Sequence, residues 1–514
     1  MANFLEDKNR RVIPNWRSFN KTSHLGELDS FNIKNNIRRV DLSILDYIDA
    51  WNQNNELIYA SDLLSAAVVN NLTNNSDVKK AANFILDNFE NATPSQIKLA
   101  DSILEKKEVV NFTDDFLNIN SDSLLELANP EVIKQRIKFI RDLIKIYPYN
   151  SIHYIELSRY YSILNLKEKA INAMKVALHL SKDNRFVLRS AVRLFTHFDD
   201  VEYAHNLLRK SSLTNIDPWL ISAEISLATI RNRNSVFIKK GIELVNSKNI
   251  NPFSFTELAS SIGTVELING SHKKSREFFN KSLISPNDNS LAQLEWASNE
   301  DNSIQVDPSK FQVQLNFEAL SLDSFHNADY DEALNFAAKW FIDMPFSKRP
   351  LLFASNLAST VMKEHKKAII FLNAGLKNRP QDTTLINNIA YSLSLDGRPL
   401  EAMKYLNKIP PTENLTAINE ICLKATKGLA FYRSGMPDVG RNYYLQALQM
   451  AKDKKLNNLH NVALLNYARE EIRIKSENAS SLLDIVNKIP ISVNDIDLKY
   501  LKADVELEHL KYNK

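Results

Sequence analysis

Large apolar and small residues recur at helical spacing between Ser151 and Asn184, on both sides of one polar turn around Asn165. Before the turn, large side chains share a face with a single small one. After the turn, small side chains line the corresponding face. Counted from Ser151, these positions are Tyr154 (4), Leu157 (7), Ser158 (8), Tyr161 (11), Ala170 (20), Met174 (24) and Ala177 (27). The spacing predicts two amphipathic helices, and the small residues allow them to cross closely as an antiparallel pair.

The same arrangement returns at a fixed interval along the chain. Pro218, Pro252 and Pro286 are 34 residues apart (252 − 218 and 286 − 252). Proline ends one helix and opens the next without removing a hydrogen bond from either interior. The clearest unit starts at Thr383 and carries Ile386, Ile389, Ala390, Leu393, Gly397, Ala402 and Leu406 at positions 4, 7, 8, 11, 15, 20 and 24.

A two-helix unit of about 34 residues with these small and large positions resembles the tetratricopeptide repeat (TPR). The resemblance covers residues 150–450 well and residues 41–149 poorly. Ser158 departs from it, since glycine or alanine is usual at position 8. The resemblance implies an all-α fold, an α-solenoid of stacked TPR-like helix-turn-helix repeats, in which each pair buries its apolar face against its neighbours.

The repeat spacing divides the chain into four predicted regions. They are an irregular N-terminal arm (1–40), a divergent helical-repeat N-terminal region (41–149), a TPR-like superhelix (150–452) with an insertion near 290–312, and C-terminal capping helices (453–514). The insertion contains Trp296 and is either a partner-binding excursion or an interrupted repeat. The arm carries Trp16 and Arg17, and it is either a basic segment that docks a partner or a cap folded over the first helices.

Composition supports a helical array and narrows the classes of function. The chain has 9 Gly in 514 residues, whereas hairpin turns and phosphate-binding loops need glycine at positive φ or at close backbone contacts. The 64 basic and 61 acidic residues leave a net charge of +3, which does not favour nucleic acid as a partner. A single cysteine, Cys422, excludes an internal disulfide. Without an apolar leader or a long apolar run, we expect a cytoplasmic protein, and the many Asn, Lys and Ile residues suggest a bacterial one.

Motifs of catalysis are not found in the sequence. It contains no H-E-x-x-H, no G-x-S-x-G and no glycine-rich phosphate loop. The acidic pairs Asp199-Asp200 and Glu470-Glu471 are assigned to turns or polar helix faces. We therefore predict that the protein is not an enzyme and has no cofactor or metal site. An enzyme with its site in the divergent N-terminal region remains the alternative.

The candidate functional surface is the concave groove that the TPR resemblance implies, lined by the first helix of each pair. Arg189, Arg193 and His197 follow one another by single helical turns and share a stripe. The residues predicted to bind a partner are Arg159, Arg189, Arg193, His197, Arg231, Tyr391, Tyr432 and Arg433. The competing interpretation is that these side chains are solvated or paired within the molecule. Guanidinium groups in a stripe would hold carboxylates, so an acidic segment of a partner is expected.

These observations predict a non-catalytic TPR scaffold or regulatory subunit. It would bind a partner protein or peptide in its concave groove and control a separately encoded effector. The alternative from a different class is a nucleic-acid-binding helical-repeat protein, which would need a continuous basic groove. The oligomeric state and the partner's identity do not follow from the sequence.

Overall fold

The computed structural model describes residues 15–17, 44–69, 72–104, 129–247, 250–301, 303–313, 315–410, 415–491 and 495–512. Within these ranges every regular element is helical. Apart from residues 15–17, the predicted N-terminal arm lies outside the described residues, as does the stretch 105–128. The predicted fold class is confirmed: the described chain is an all-α solenoid of stacked TPR-like helix pairs.

The helices follow one another through short connections. The N-terminal group consists of α1 (Ile44–Gln53), α2 (Leu57–Val69), α3 (Ser76–Asp87) and α4 (Pro94–Leu104). The array begins with α5 (Pro130–Ile146), α6 (Ser151–Ile163), α7 (Lys167–Leu180), α8 (Arg185–His197), α9 (Val201–Lys210), α10 (Pro218–Ile230), α11 (Ile238–Asn246), α12 (Pro252–Ile268) and α13 (His272–Ser282). It continues with α14 (Asp288–Glu300), α15 (Phe317–His326), α16 (Tyr330–Asp343), α17 (Arg349–Asn356), α18 (His365–Asn378), α19 (Thr383–Leu395), α20 (Pro399–Leu406), α21 (Ala417–Arg433) and α22 (Pro437–Asp453). The C-terminal helices are α23 (Asn457–Arg473), α24 (Ala479–Asn487) and α25 (Ile496–Tyr512).

Small residues bring the two helices of a pair into contact where they cross. Where α19 and α20 cross, Ala390 and Ala402 are fully buried, whereas Lys404 of α20 faces solvent. In three other pairs a buried serine donates its hydroxyl across the crossing to a backbone carbonyl. These hydrogen bonds are Ser158 to Ala170 (2.8 Å), Ser275 to Gly263 (2.9 Å) and Ser321 to Ala333 (2.9 Å), each between residues 12 apart. A serine therefore fits on either helix of the crossing, because it is small and its hydroxyl has a backbone acceptor there.

The helix-boundary prolines act together with the residue before them. Pro218 and Pro252 lie in the first turns of α10 and α12. Asp217 and Asn251 precede them and accept hydrogen bonds from the free backbone N–H groups of Trp219 (2.9 Å) and Phe253 (3.0 Å). These N-caps satisfy donors that have no partner within the helix, so the prolines mark the starts of first helices.

The predicted insertion near 290–312 combines a helix with irregular backbone. The helix α14 is followed by a non-helical stretch and a 3₁₀ turn, Pro308–Phe311, before α15 begins. Ile304 of this stretch is buried in one cluster with Leu294 and Ala297 of α14. The described part of this stretch thus packs against apolar side chains of α14.

The C-terminal helix α25 packs on α23 and also reaches back to α16 and α17. Tyr500 hydrogen-bonds with Tyr330 at 2.8 Å, and Asn356 donates to Asp497 at 2.8 Å. Lys363, just beyond the π-helical turn Leu357–Val361, pairs with Asp504 at 2.5 Å. These contacts join residues more than 140 positions apart, so the helix fastens the array as well as covering its last pair.

Candidate functional site

The predicted stripe on α8 contacts residues that come later in the array. The Arg189 guanidinium carbon lies 4.8 Å from the centre of the Trp219 ring, and its Nη2 pairs with the buried Glu257 at 3.0 Å. The Arg193 guanidinium carbon lies 5.3 Å from the centre of the Phe346 ring. The His197 ring meets Phe346 edge-on at 5.3 Å. The structure therefore brings these three stripe residues together on one surface.

Glu257 links the stripe to the start of α14. One of its carboxylate oxygens accepts hydrogen bonds from Asn287 Nδ2 (2.9 Å) and Asn289 Nδ2 (2.8 Å) in addition to Arg189. The carboxylate is buried, and three donors compensate for the loss of its hydration. This hydrogen-bonded link fixes the distance between α8, α12 and α14.

Residues Asn15, Trp16 and Arg17 of the N-terminal arm lie beside the stripe. We call their binding site the cradle, and it is formed by Asp288, Asn289, Leu315, Asp343 and Phe346. Trp16 is 2% exposed, and its ring meets Phe346 edge-on at 5.3 Å between centres. Phe346 thus contacts the arm on one side and the stripe residues Arg193 and His197 on another.

Arg17 joins two carboxylates from different helices. Its Nη1 donates to Asp288 at 2.7 Å and its Nε to Asp343 at 2.6 Å, while Nη2 donates to the backbone carbonyl of Leu315 at 2.8 Å. Burial opposes the charge on Arg17, but Asp288 and Asp343 together raise its pKa above the ordinary value. Charge-assisted hydrogen bonds of this kind are stronger than neutral ones, so Arg17 is firmly held.

The other predicted partner-binding residues lie apart from the cradle. Arg159 on α6 is buried and pairs with Glu156 at 3.2 Å. Arg231 follows α10, donates to His205 Nδ1 at 2.9 Å and pairs with Glu202 at 3.0 Å. Both arginines have their described partners within the molecule.

The predicted residues in the second half belong to a separate buried network. Tyr391 donates to Asn466 at 3.1 Å, and Tyr432 donates to Glu471. Arg433 forms two hydrogen bonds with Glu470, of 2.7 and 2.9 Å. Burial and the bond to Glu471 raise the pKa of Tyr432. The structure gives each of these side chains a defined partner inside the protein.

Sequence reasoning missed the acidic residues that pair with the arginines of the cradle and of the buried network in the second half. Glu470 and Glu471 were assigned to a polar face, but both are fully buried, and Arg469 and Arg441 pair with them at 2.9 and 2.8 Å. Asp288 and Asp343 of the cradle were not predicted. Each lies two residues from a boundary proline, Pro286 or Pro345, and that position was the one available indication.

The close contact between the two helices of a pair recurs along the array. Close contacts between residues 12 apart recur in pairs from α6–α7 to α21–α22, where Gly428 and Gly440 take the place of the serine, glycine and alanine residues used elsewhere. The described part of the chain therefore folds as an array of TPR-like helix pairs. Its helices give no candidate for a membrane span among the described residues. In the described part of the chain, no cluster of His, Cys, Asp or Glu is placed to hold a metal ion.

Comparisons with known proteins add little to this conclusion. No protein-family model matches the sequence, and no curated protein matches it significantly. Among solved structures, the chain is similar to yeast Tom70 at 13% identity, over 90% of this chain and 97% of the other, with a TM-score of 0.33. It is also similar to the TPR domain of P58(IPK) at 15% identity, over 71% of this chain and 99% of the other, with a TM-score of 0.17. These values are too low to bear on curvature, partner or function.

Proposed function

We propose that the protein is a non-catalytic scaffold or regulatory subunit that binds a partner protein or peptide in the groove of its TPR array. In this role it would act through a separately encoded effector. The observation that supports the proposal is the segment Asn15–Arg17, which the cradle holds through backbone and side-chain contacts together. A peptide ligand of a helical-repeat groove makes contacts of the same kinds.

The charge of the preferred partner depends on which part of the groove it contacts. An acidic segment at Arg189 would have to replace the existing ion pair with Glu257. The Arg193 guanidinium stacks on Phe346 and stands nearest to the cradle. Because Arg189 is paired with the buried Glu257 and the cradle presents the carboxylates of Asp288 and Asp343, these contacts do not favour nucleic acid. The acidic partner predicted from the arginine stripe stays a prediction.

Site-specific crosslinking tests the proposal in the full chain. A photo-reactive amino acid replaces the half-buried His197 in the groove, and in a control protein it replaces the exposed Lys404 on a second helix. After irradiation in the source cells, we expect one protein to be crosslinked at position 197 and not at position 404. Binding of that purified protein should then weaken at least tenfold in His197→Glu. Crosslinks at position 404 alone, or equal binding to His197→Glu, would refute a groove-binding role.

The crosslinked segment also decides the chemistry of the partner. An acidic segment would support the prediction made from Arg189 and Arg193. A segment with aromatic and basic residues would instead indicate recognition by the cradle.

A further inference from the structure

Three consecutive residues of the arm are each recognised by a different group of the cradle. The backbone N–H of Asn15 donates to Asn289 Oδ1 at 2.7 Å, and its side chain donates to Asp288 at 2.8 Å. The indole of Trp16 is buried against Phe346. The guanidinium of Arg17 donates to two carboxylates and one carbonyl. The cradle thus contacts, in chain order, the backbone and side chain of Asn15, the aromatic ring of Trp16 and the guanidinium group of Arg17.

The carboxylates make the cradle selective for a cation. The side chains of Asp288 and Asp343 are 6% and 1% exposed, and both accept from the same guanidinium. Two carboxylates that converge on one point repel each other unless a positive group lies between them. Arginine suits this geometry better than lysine because its planar fork presents several donors in fixed directions.

Residues 15–17 contact the array as a bound peptide would, since they belong to no helix pair. Their hydrogen-bond partners in the cradle lie between 271 and 326 residues further along the chain. Residues 15–17 are not helical. A tethered segment has a high effective concentration at its site and so outcompetes free ligands of equal affinity.

We propose that the cradle is a recognition site for an extended segment of a partner protein in which an aromatic residue precedes an arginine. Residues 15–17 are its resident intramolecular competitor. This proposal rests on the proposed groove-binding function and specifies the partner's chemistry. Since Phe346 touches both Trp16 and the stripe residues Arg193 and His197, exchange of the arm for a partner also changes the surroundings of the stripe.

The test measures binding of a peptide to the emptied cradle in the full chain. A fluorescent peptide with the sequence of residues 10–22 is titrated into wild type and into Trp16→Ala/Arg17→Ala, with anisotropy as the readout and circular dichroism as the check on folding. A control peptide carries the same two alanines. We expect the peptide to bind the double variant at least tenfold more tightly than wild type, and the control peptide to bind neither. Adding Asp343→Asn to the double variant should weaken peptide binding at least tenfold.

A second design applies if the double variant does not fold. A protease site placed between residues 25 and 30 lets the wild-type chain fold with its arm bound, and cleavage then removes the tether. The labelled peptide should exchange with the cleaved arm, and the control peptide should not.

Several results would overturn the proposal. Equal binding of both peptides would show that the cradle does not read Trp-Arg, and binding unaffected by Asp343→Asn would place the peptide elsewhere. A wild-type chain that is dimeric in light scattering and becomes monomeric in the double variant would mean that the arm binds between copies. If crosslinking at position 197 still captures a partner while the peptide does not bind, the groove function stands and the cradle specificity fails.

Discussion

Replacing Gly440 by alanine tests the close crossing of α21 and α22. A Cβ atom at Gly440 would lie 2.5 Å from Tyr432 Cδ2 and 2.8 Å from the backbone oxygen of Gly428. Helix propensity alone predicts that the substitution stabilises α22 by about 1 kcal/mol. Overpacking in a filled core costs about 1–3 kcal/mol, and here the obstacles resist movement. One is backbone, and the other is a ring whose hydroxyl donates to the buried Glu471. A cost in the upper part of that range, less the gain of about 1 kcal/mol, leaves an expected net loss of about 1–2 kcal/mol.

Hydrogen exchange of the backbone amides in α22 is the suitable assay, because a long repeat array need not unfold in one step. Exchange in Gly440→Ala should be faster than in wild type. The matched control is Ala402→Gly, at the equivalent place in α20, where the existing Cβ is accommodated. It should cost at least about 1 kcal/mol, through helix propensity and the loss of one buried methyl group. Slower exchange in Gly440→Ala would show that propensity outweighs packing and that the helices are not in close contact there.

Three further predictions concern the register, the stripe and pH. Ala402→Glu would place a carboxylate in a fully buried helix crossing and should cost several kcal/mol of stability in urea denaturation. The exposed control Lys404→Ala should change the stability by about 0.5 kcal/mol at most. Equal losses would disprove the predicted register of the repeat. Arg189→Glu would oppose the buried Glu257 and should cost about 3–5 kcal/mol, and adding Glu257→Arg should recover part of the loss; a calorimetric melt unchanged by the single substitution would contradict this pairing. Burial, and after it the nearby charges of Arg469 and Lys363, lower the pKa of His365 from 6.5 to about 4. Folding therefore favours the neutral ring, and the stability of the protein should fall as the pH drops from about 6.5 towards 4. His365→Gln should flatten that part of a stability–pH curve, and an unchanged slope would assign it to other groups.

The sequence by itself determined the helix pairs. The contact between residues 12 apart, such as Ser158 with Ala170, depends on one turn and two short helices, so local spacing was sufficient to predict it. The same reasoning placed Arg189, Arg193 and His197 on one face, because positions one turn apart on a helix share a side. Pro218 and Pro252 were likewise predicted from the sequence as helix boundaries, and both lie in the first turn of a helix.

Only the tertiary structure decided what lies opposite those faces. The relative position of α8, α14 and the end of α16 results from a small rotation at each repeat, which accumulates over more than 100 residues and leaves no periodic pattern in the sequence. This curvature brings Glu257 to Arg189 and Phe346 to Arg193. Glu470, assigned to a polar face, is buried because α23 packs against α21 and Arg433 of α21 pairs with it at 2.7 Å.

The arm shows this division most clearly. Its sequence identified Trp16 as a residue that needs burial and Arg17 as a charge that needs a partner, and both requirements are local properties of the side chains. Their binding site is assembled from Asp288, Leu315 and Asp343, which come together when the array folds. A residue's need for a partner is encoded in its own chemistry, whereas the identity of that partner depends on long-range geometry that no local pattern records.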